Sequence, residues 1–530
     1  MCLPGAVVIP RAGGKVVAVA IVEPLPTETG ERRRWALTSP VDRSALGEWE
    51  ASSAADVDAA LARARAAQPA WAARPIAERA AIIRRAVEVL IARKDEIVES
   101  LRVETGKPRA EALTIEILSS ADFLNHWSAR AVRQLRDERR RLHGYLLPVK
   151  RLTVHYQPLG VVGVITPWNA PFVLSLNPIT QALLAGNSVV LKPSEVTPRS
   201  GAWAVDVLRE AGVPEDVVQV VHGDGETGAA LVAGDVDKIA FTGSVATGRR
   251  IAEVCGRRLI PCTLELGGKD AMIVCADADL ERAAAGAVYL SMFNTGQVCL
   301  SVERIYVVDS VADEFVRLVT EKAAALTYGA GPDKDMGPLF SDRQLEIVSR
   351  HVDQAKQAGA VAAVGGSPGK GDGLFFEPTV LVGVDHSMPL MTEETFGPIA
   401  AIMRVRDEDE AVRLANDSAY GLSASVFTND PARAERIGKR LITGSVVHND
   451  AATIYGVTEA PFGGRKASGV GQVNGVDALR KFTHAQPILL ARWRTKSEHV
   501  WYPYTADTEK TIETILRVAF GNRFVRRLMS

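Results

Sequence analysis

The stretch Val161-Val-Gly-Val-Ile-Thr-Pro-Trp-Asn169 is a short apolar run that breaks at Thr166 and Pro167. Four more such runs follow, at 188–192, 217–221, 238–242 and 263–266, after this first one over 161–166. Helical periodicity fills the gaps at 178–184, 200–211, 227–232 and 247–255. Apolar strands alternating with helices predict a parallel sheet covered on both faces. Such sheets hold ligands beyond the C-terminal ends of their strands.

Those strand ends carry chemistry. Thr166-Pro-Trp-Asn169 follows the first, Lys192-Pro-Ser-Glu195 the second and Thr242-Gly-Ser244 the fourth. Gly223-Asp-Gly-Glu-Thr-Gly228 formally matches the dinucleotide fingerprint, but the acid belonging at the end of the next strand is missing. Gly223 therefore reads as a tight turn near a nucleotide. Gly243 and Ser244, opening a helix with free N–H groups, are the stronger phosphate candidates.

A second α/β unit begins after Lys269, with strands near 272–274, 305–308, 380–382, 399–405 and 424–427. Its helices fall at 312–326, 343–359, 408–416 and 432–440. Within it lies Met292-Phe-Asn-Thr-Gly-Gln-Val-Cys299, between an Ala-rich helical run and a strand. Asn294 and Gly296 break the helix, so Cys299 falls just past a turn, where a thiol can face a cleft. A lone cysteine otherwise reads as a small buried hydrophobe.

The 530 residues exceed what one core accommodates, and two to four domains are expected. With 47% hydrophobic residues, 24% charged residues and a net charge of −1, the chain reads as ordinary globular protein with no bulk attraction to nucleic acid. The five cysteines show no metal spacing, so free thiols, no metal and a reducing compartment are expected. No run reaches the ~18 apolar residues of a membrane span, and 16–22 lacks a cleavage pattern, which favours the cytoplasm.

Residues 1–35 read as an irregular arm, 55–100 as two helices parted at Pro75, and 103–135 as continued helix. Every residue from Arg136 to Arg141 is charged, which predicts a solvated link. Residues 146–156 alternate like a strand pair, and 482–493 is β-rich. Exposed ribbons of this kind invite pairing between subunits. From Trp501 an amphipathic tail places Ile512, Ile515, Leu516, Ala519 and Phe520 on one face, with Arg517, Arg523, Arg526 and Arg527 making it basic. It reads as a helix closing a substrate tunnel or docking on a neighbour, ahead of contact with an anionic membrane.

Taken in order, Pro167-Trp-Asn169, Lys192-Pro-Ser-Glu195, Phe241-Thr-Gly-Ser244, Glu265-Leu-Gly-Gly-Lys269, Gln297-Val-Cys299, Glu394-Thr-Phe-Gly-Pro398 and Pro461-Phe-Gly-Gly464 resemble the aldehyde dehydrogenase superfamily over about 35–490. The resemblance implies a Rossmann-like NAD-binding domain (36–138 and 158–266), an α/β catalytic domain carrying the cysteine (267–462) and an oligomerisation ribbon (139–157 and 482–495), with the tail at 501–530 outside it. A homodimer or homotetramer follows from it. It also implies NAD-dependent oxidation of an aldehyde to the acid. Cys299 is then the nucleophile, Asn169 an oxyanion donor and Glu265 the base that hydrolyses the thioester. Thr166, Trp168, Lys192, Glu195, Gly223, Gly243, Ser244, Glu394 and Phe396 are the expected cofactor residues. A carboxylate at Glu195 accepts from a free ribose 2′-OH and repels a 2′-phosphate, which argues for NAD over NADP.

Two departures bear on the substrate. Asn177 stands where semialdehyde-oxidising members often carry Arg, and Pro178 where many hydrolytic members carry Lys. Expected substrate walls are Ala170, Phe172, Val173, Val298, Leu300 and Tyr455, which points to an apolar or aromatic aldehyde. The alternatives are a succinate-semialdehyde enzyme, a CoA-acylating relative, which would lack the base at 265, a cysteine hydrolase using His222 or His448, and a catalytically silent scaffold.

Overall fold

A computed structural model describes residues 33–147, 149–331, 333–450, 452–494, 496–498, 501–521 and 523–529. The apolar run 16–22 and most of the N-terminal arm lie outside the described residues. The end of that arm is ordered into a strand: Arg34–Thr38 pairs antiparallel with Ala45–Glu50, setting Trp35 opposite Trp49.

Among the described residues, one six-stranded sheet runs Gly469–Val470, Cys262–Glu265, Lys238–Thr242, Val161–Ile165, Ser188–Lys192, Val218–Val220. Its pairs are parallel except the first. Burial of every residue in Val161–Ile165 and Ser188–Lys192 explains why these runs are apolar without alternation. The helix expected from 178 begins at Pro171, because proline at a first helical position costs no hydrogen bond. Pro178 then sits inside it rather than at its start.

A seven-stranded sheet follows, in the order Val361–Val364, Thr379–Val382, Ile399–Val405, Val302–Val308, Asp270–Val274, Ala424–Phe427, Val447–His448. Only its first pair is antiparallel.

Two expectations about the ribbon are corrected. The charged run 136–141 is no mere link, since Glu138–Arg140 forms a strand and Glu138 accepts from Tyr156 Oη at 2.8 Å. Residues 146–156 are not a strand pair. Lys150–Pro158 is a single strand whose partners come from Glu138–Arg140 and from Thr483–Ala491. Partners so far away in sequence leave no local signal. The helical reading of 103–135 is also broken: Ile76–Thr105 stops at Gly106 (φ 69°), and the chain restarts beyond Pro108 through a π-helical turn, Ala112–Leu118.

Candidate active site

The helix Leu280–Met292 ends in a sharp reversal. Asn294, Thr295 and Gly296 are successively left-handed, at φ 52°, 57° and 71°. Non-glycine residues adopt this region only where surroundings over-determine it. Here Glu111 accepts from Asn294 N–H at 2.8 Å, and Thr295 Oγ1 donates to Gly337 O at 3.0 Å. Gln297 donates to Asn294 O at 3.1 Å and accepts from Phe340 N–H at 3.0 Å. A side chain at Gly296 would collide with the backbone of Gly397. The reversal delivers Cys299, half-buried, to a cavity of about 300 Å³ that Asn169 and Glu265 also line.

Asn169 projects from the loop after Val161–Ile165. Its Nδ2 donates to Gln297 O at 2.9 Å, which commits one amide hydrogen and leaves the second. Its carbonyl accepts from Asn294 Nδ2 at 3.1 Å and from Lys107 Nζ at 3.0 Å. Lys107 is itself buried and paired with Glu116 Oε1 at 2.8 Å, while Glu116 Oε2 accepts from Val173 N–H at 2.9 Å. Sequence reasoning missed this brace. Its signal was Glu104-Thr-Gly-Lys-Pro108, a lysine between two helix breakers.

Glu265 ends the Cys262–Glu265 strand, and both carboxylate oxygens are buried without a hydrogen-bond partner. Burial pushes its pKa well above the ordinary value, against the pull of Lys481. Burial likewise pushes the Cys299 thiol up, with Asp270, Glu394 and Glu265 adding to the effect. A thiol so placed needs a proton acceptor at hand before it attacks. Gly267 and Gly268 let three segments meet: a side chain on the first would strike the Glu394 carboxyl, and on the second the Cys299 carbonyl.

The remaining expected residues lie along the strand ends. Thr166 lines the cavity and bonds Ser175 Oγ at 2.8 Å. Trp168 meets Phe340 and Phe396 edge-on, with ring centroids at 5.5 and 5.4 Å. Glu394 accepts from Gly268 N–H at 2.9 Å, and burial first, then Glu303, raises its pKa to about 8. Lys192 Nζ donates to Glu195 Oε2 at 3.1 Å. Gly243 N–H donates to Glu265 O at 3.0 Å, and exposed Ser244 caps the helix Val245–Arg258. Gly223 sits in a turn before the helix Gly225–Ala233, whose start is occupied by the Asp224 carboxylate.

Of the expected walls, Ala170, Val173, Val298, Leu300 and Tyr455 line the cavity. Phe172 does not: the helix Pro171–Leu184 turns it into the core, fully buried. Ile115, Leu174, Phe293 and Phe462, unmarked in the sequence, add apolar surface. No residue of the described tail lines the cavity. Among the described residues no cluster suited to a metal ion occurs, and no helix is long and apolar enough to cross a membrane.

The model of the aldehyde dehydrogenase family matches residues 27–488. The 4,4′-diapolycopene aldehyde oxidase of Methylomonas sp is 40% identical over 486 residues, covering 92% of this chain and 91% of that protein. A protein of Mycolicibacterium smegmatis, provisionally named succinate-semialdehyde dehydrogenase (NADP(+)), is 43% identical over 445 residues, covering 83% and 85%. The crystal structure of a Mycobacterium tuberculosis aldehyde dehydrogenase complexed with NAD+ superposes with a TM-score of 0.84 at 38% identity, covering 88% of this chain and 97% of that one. A fully buried, unpartnered glutamate, a braced asparagine and a cysteine around one cavity thus belong to a chain matched along most of its length, and the protein is an oxidoreductase of the aldehyde dehydrogenase family.

Proposed function

We propose that the protein oxidises an apolar or aromatic aldehyde to its carboxylic acid through a covalent adduct on Cys299, with NAD as the preferred acceptor. The wall chemistry carries the substrate class. Among the described residues lining the cavity, no side chain is cationic. Asn177, in the semialdehyde-recognition position, already accepts from Trp127 Nε1 and from Gln181 Nε2, each at 2.9 Å. Its Nδ2 donates to Asn474 Oδ1 at 3.1 Å, and a distal carboxylate would be desolvated there without a cationic partner.

Cys299 Sγ adds to the carbonyl carbon as its proton passes to Glu265, a carboxylate that burial makes a stronger base. The new oxyanion accepts from the second Nδ2 hydrogen of Asn169 and from Cys299 N–H, donors worth roughly 10²–10³ in rate each. The adduct carbon gives up its hydride to the acceptor, which leaves a thioester, and the proton on Glu265 passes to solvent. Glu265 then takes a proton from the water that attacks the thioester, and the acid departs as the C–S bond breaks and the Cys299 sulfur recovers a proton. Its presence favours water over CoA as the acyl acceptor.

The strand-end residues fit a dinucleotide. Glu394 is a buried carboxyl anchored on Gly268, Trp168 and Phe396 form an aromatic wall, and the helix start at Ser244 is exposed. Lys192 and Glu195 would hold the adenosine ribose, the helix start at Ser244 the pyrophosphate, beside Gly243 whose own N–H is given to Glu265 O, and Glu394 the second ribose. A bound nicotinamide supplies the hydride acceptor. Glu195 neutralises the ammonium that a 2′-phosphate would need, and it repels that phosphate itself. An Escherichia coli neighbour described as an NADP-dependent enzyme (TM-score 0.82, 34% identity) makes NADP the competing acceptor.

Comparing kcat/KM on hexanal, benzaldehyde and succinate semialdehyde tests the substrate reading. The apolar substrates are expected to lead by about 10- to 200-fold, the span of 1–3 kcal/mol. A clear lead for succinate semialdehyde overturns the reading.

A further inference from the structure

The hairpin of Arg34–Thr38 and Ala45–Glu50 lies outside both large sheets, yet it reaches the cofactor end of the first. The Trp35 and Trp49 rings stack with centroids 6.4 Å apart, and Trp49 meets the His222 ring at 4.7 Å. Trp35 Nε1 donates to the backbone carbonyl of Glu195 at 2.9 Å, across 160 positions of sequence. The chain leaving the hairpin is bonded beyond the neighbouring strand Val218–Val220. Ser52 N–H donates to His222 O at 2.7 Å, and His222 N–H donates back to Ser52 Oγ at 3.2 Å. Thr227 Oγ1 donates to Ser52 O at 3.0 Å. Arg33, entering the hairpin, pairs with Asp224 at 2.5 Å and Glu226 at 2.9 Å. The hairpin thus spans the ends of Ser188–Lys192 and Val218–Val220. Glu195 needs such a hold: its side chain is 43% exposed, and its pair with Lys192 at 3.1 Å fixes a position only weakly within reach of water. Ser194 closes the turn from within, accepting from Val196 N–H and Thr197 N–H. Trp35 anchors Glu195 itself from outside.

We propose, on the footing that Glu195 holds the adenosine ribose, that Trp35 is a positioning residue for cofactor choice and that the hairpin is a working part of the NAD site. By fixing the Glu195 backbone, Trp35 aims the carboxylate at the 2′-OH. A carboxylate held still accepts from that hydroxyl in one geometry and meets a 2′-phosphate with its full repulsion. Released, it swings toward solvent, so NAD loses a contact and NADP loses an opponent. An indole N–H only donates, so Trp35 serves this carbonyl and no acceptor role competes. Trp35 does not line the aldehyde cavity, and its influence runs through Glu195 alone.

Steady-state kinetics with NAD and with NADP on Trp35→Phe, Glu195→Gln and the double variant test this. Phenylalanine keeps a ring against Trp49 and removes the N–H. Trp35→Phe is expected to raise KM for NAD about 3- to 10-fold, the worth of one neutral hydrogen bond, and to raise the NADP-to-NAD ratio of kcat/KM. The kcat at saturating NAD and the KM for aldehyde stay at the parent values. In the Glu195→Gln background the same substitution is expected to leave the ratio unmoved, since the carboxylate it aims is gone. A ratio that responds to Glu195→Gln but not to Trp35→Phe overturns this inference alone, as do additive effects in the double variant. A ratio that ignores Glu195→Gln overturns the ribose assignment and this inference with it. If Trp35→Phe does not fold, amide exchange in the unaltered chain decides. NAD is then expected to slow exchange over 34–50 as well as 194–197, and slowing confined to 194–197 overturns the part given to the hairpin.

Discussion

Two buried carboxyls with different partners set the chemistry of the site. Glu265 has no hydrogen bond at either oxygen, whereas Glu394 accepts from Gly268 N–H. Replacing Glu265 by Gln keeps shape and removes the base. Because Glu265 serves both adduct formation and hydrolysis, the first burst of NADH and the steady turnover are both expected to slow, by roughly 10²–10⁴-fold, in rapid-mixing fluorescence. Because burial raises the Glu265 pKa, turnover in the unaltered enzyme climbs with pH as that carboxyl ionises, and the Gln variant flattens the rise. Glu394 bears on stability instead. Its folded value of about 8 stands above the ordinary 4.5, so the stability from burying it neutral is complete below about 4.5 and lost as pH rises through 8. Thermal melts of the cofactor-free protein are therefore expected to drop between these pH values, less so in Glu394→Gln. At Glu195, substitution by Gln removes a negative charge from the ribose side, and the ratio of kcat/KM for NADP to that for NAD is expected to rise.

At the level of elements, the break between Ile76–Thr105 and Ser119–Leu135 matters most. Gly106 and Pro108 stop the helix, the π-helical turn redirects it, and Lys107 and Glu116 meet inside the protein. Buried pairs tolerate loss of one partner poorly, since the other charge stays buried and alone. Lys107→Met is expected to cost about 3–5 kcal/mol in urea unfolding. It also withdraws a donor from the Asn169 carbonyl, so kcat falls more than the binding of aldehyde. Equal melting of variant and parent would show the pair to be dispensable. The strands around this break were legible because each is a closed apolar run. Helix starts at proline fall within the few residues by which helix boundaries shift, and the two-residue strands were not legible because their hydrogen bonds are made with distant segments.

Across the whole molecule, the Thr483–Ala491 strand lies at the edge of its three-stranded ribbon. Ile488, Leu489 and Leu490 are exposed on it, and Trp493, Trp501 and Tyr502 are exposed just beyond. An apolar edge of this kind is a template for a second chain. If the ribbon joins subunits, Ile488→Asp with Leu490→Asp shifts sedimentation velocity to a smaller species, and an unchanged profile places the interface elsewhere. The tail segment Arg523–Met529 packs beside the turn Gly144–Leu146 of the same region. It therefore belongs with the ribbon and away from the aldehyde cavity.

The sequence by itself determined the alternation of strand and helix, the residues at the strand ends and the motif order that marks the family, since each depends on neighbours a few positions apart. Only the tertiary structure decided that Phe172 is core, that Asn177 is bonded to Trp127 and Gln181, and that Lys107 braces Asn169. Those facts depend on which face a helix turns inward and on groups many residues apart sharing a space from which water is excluded.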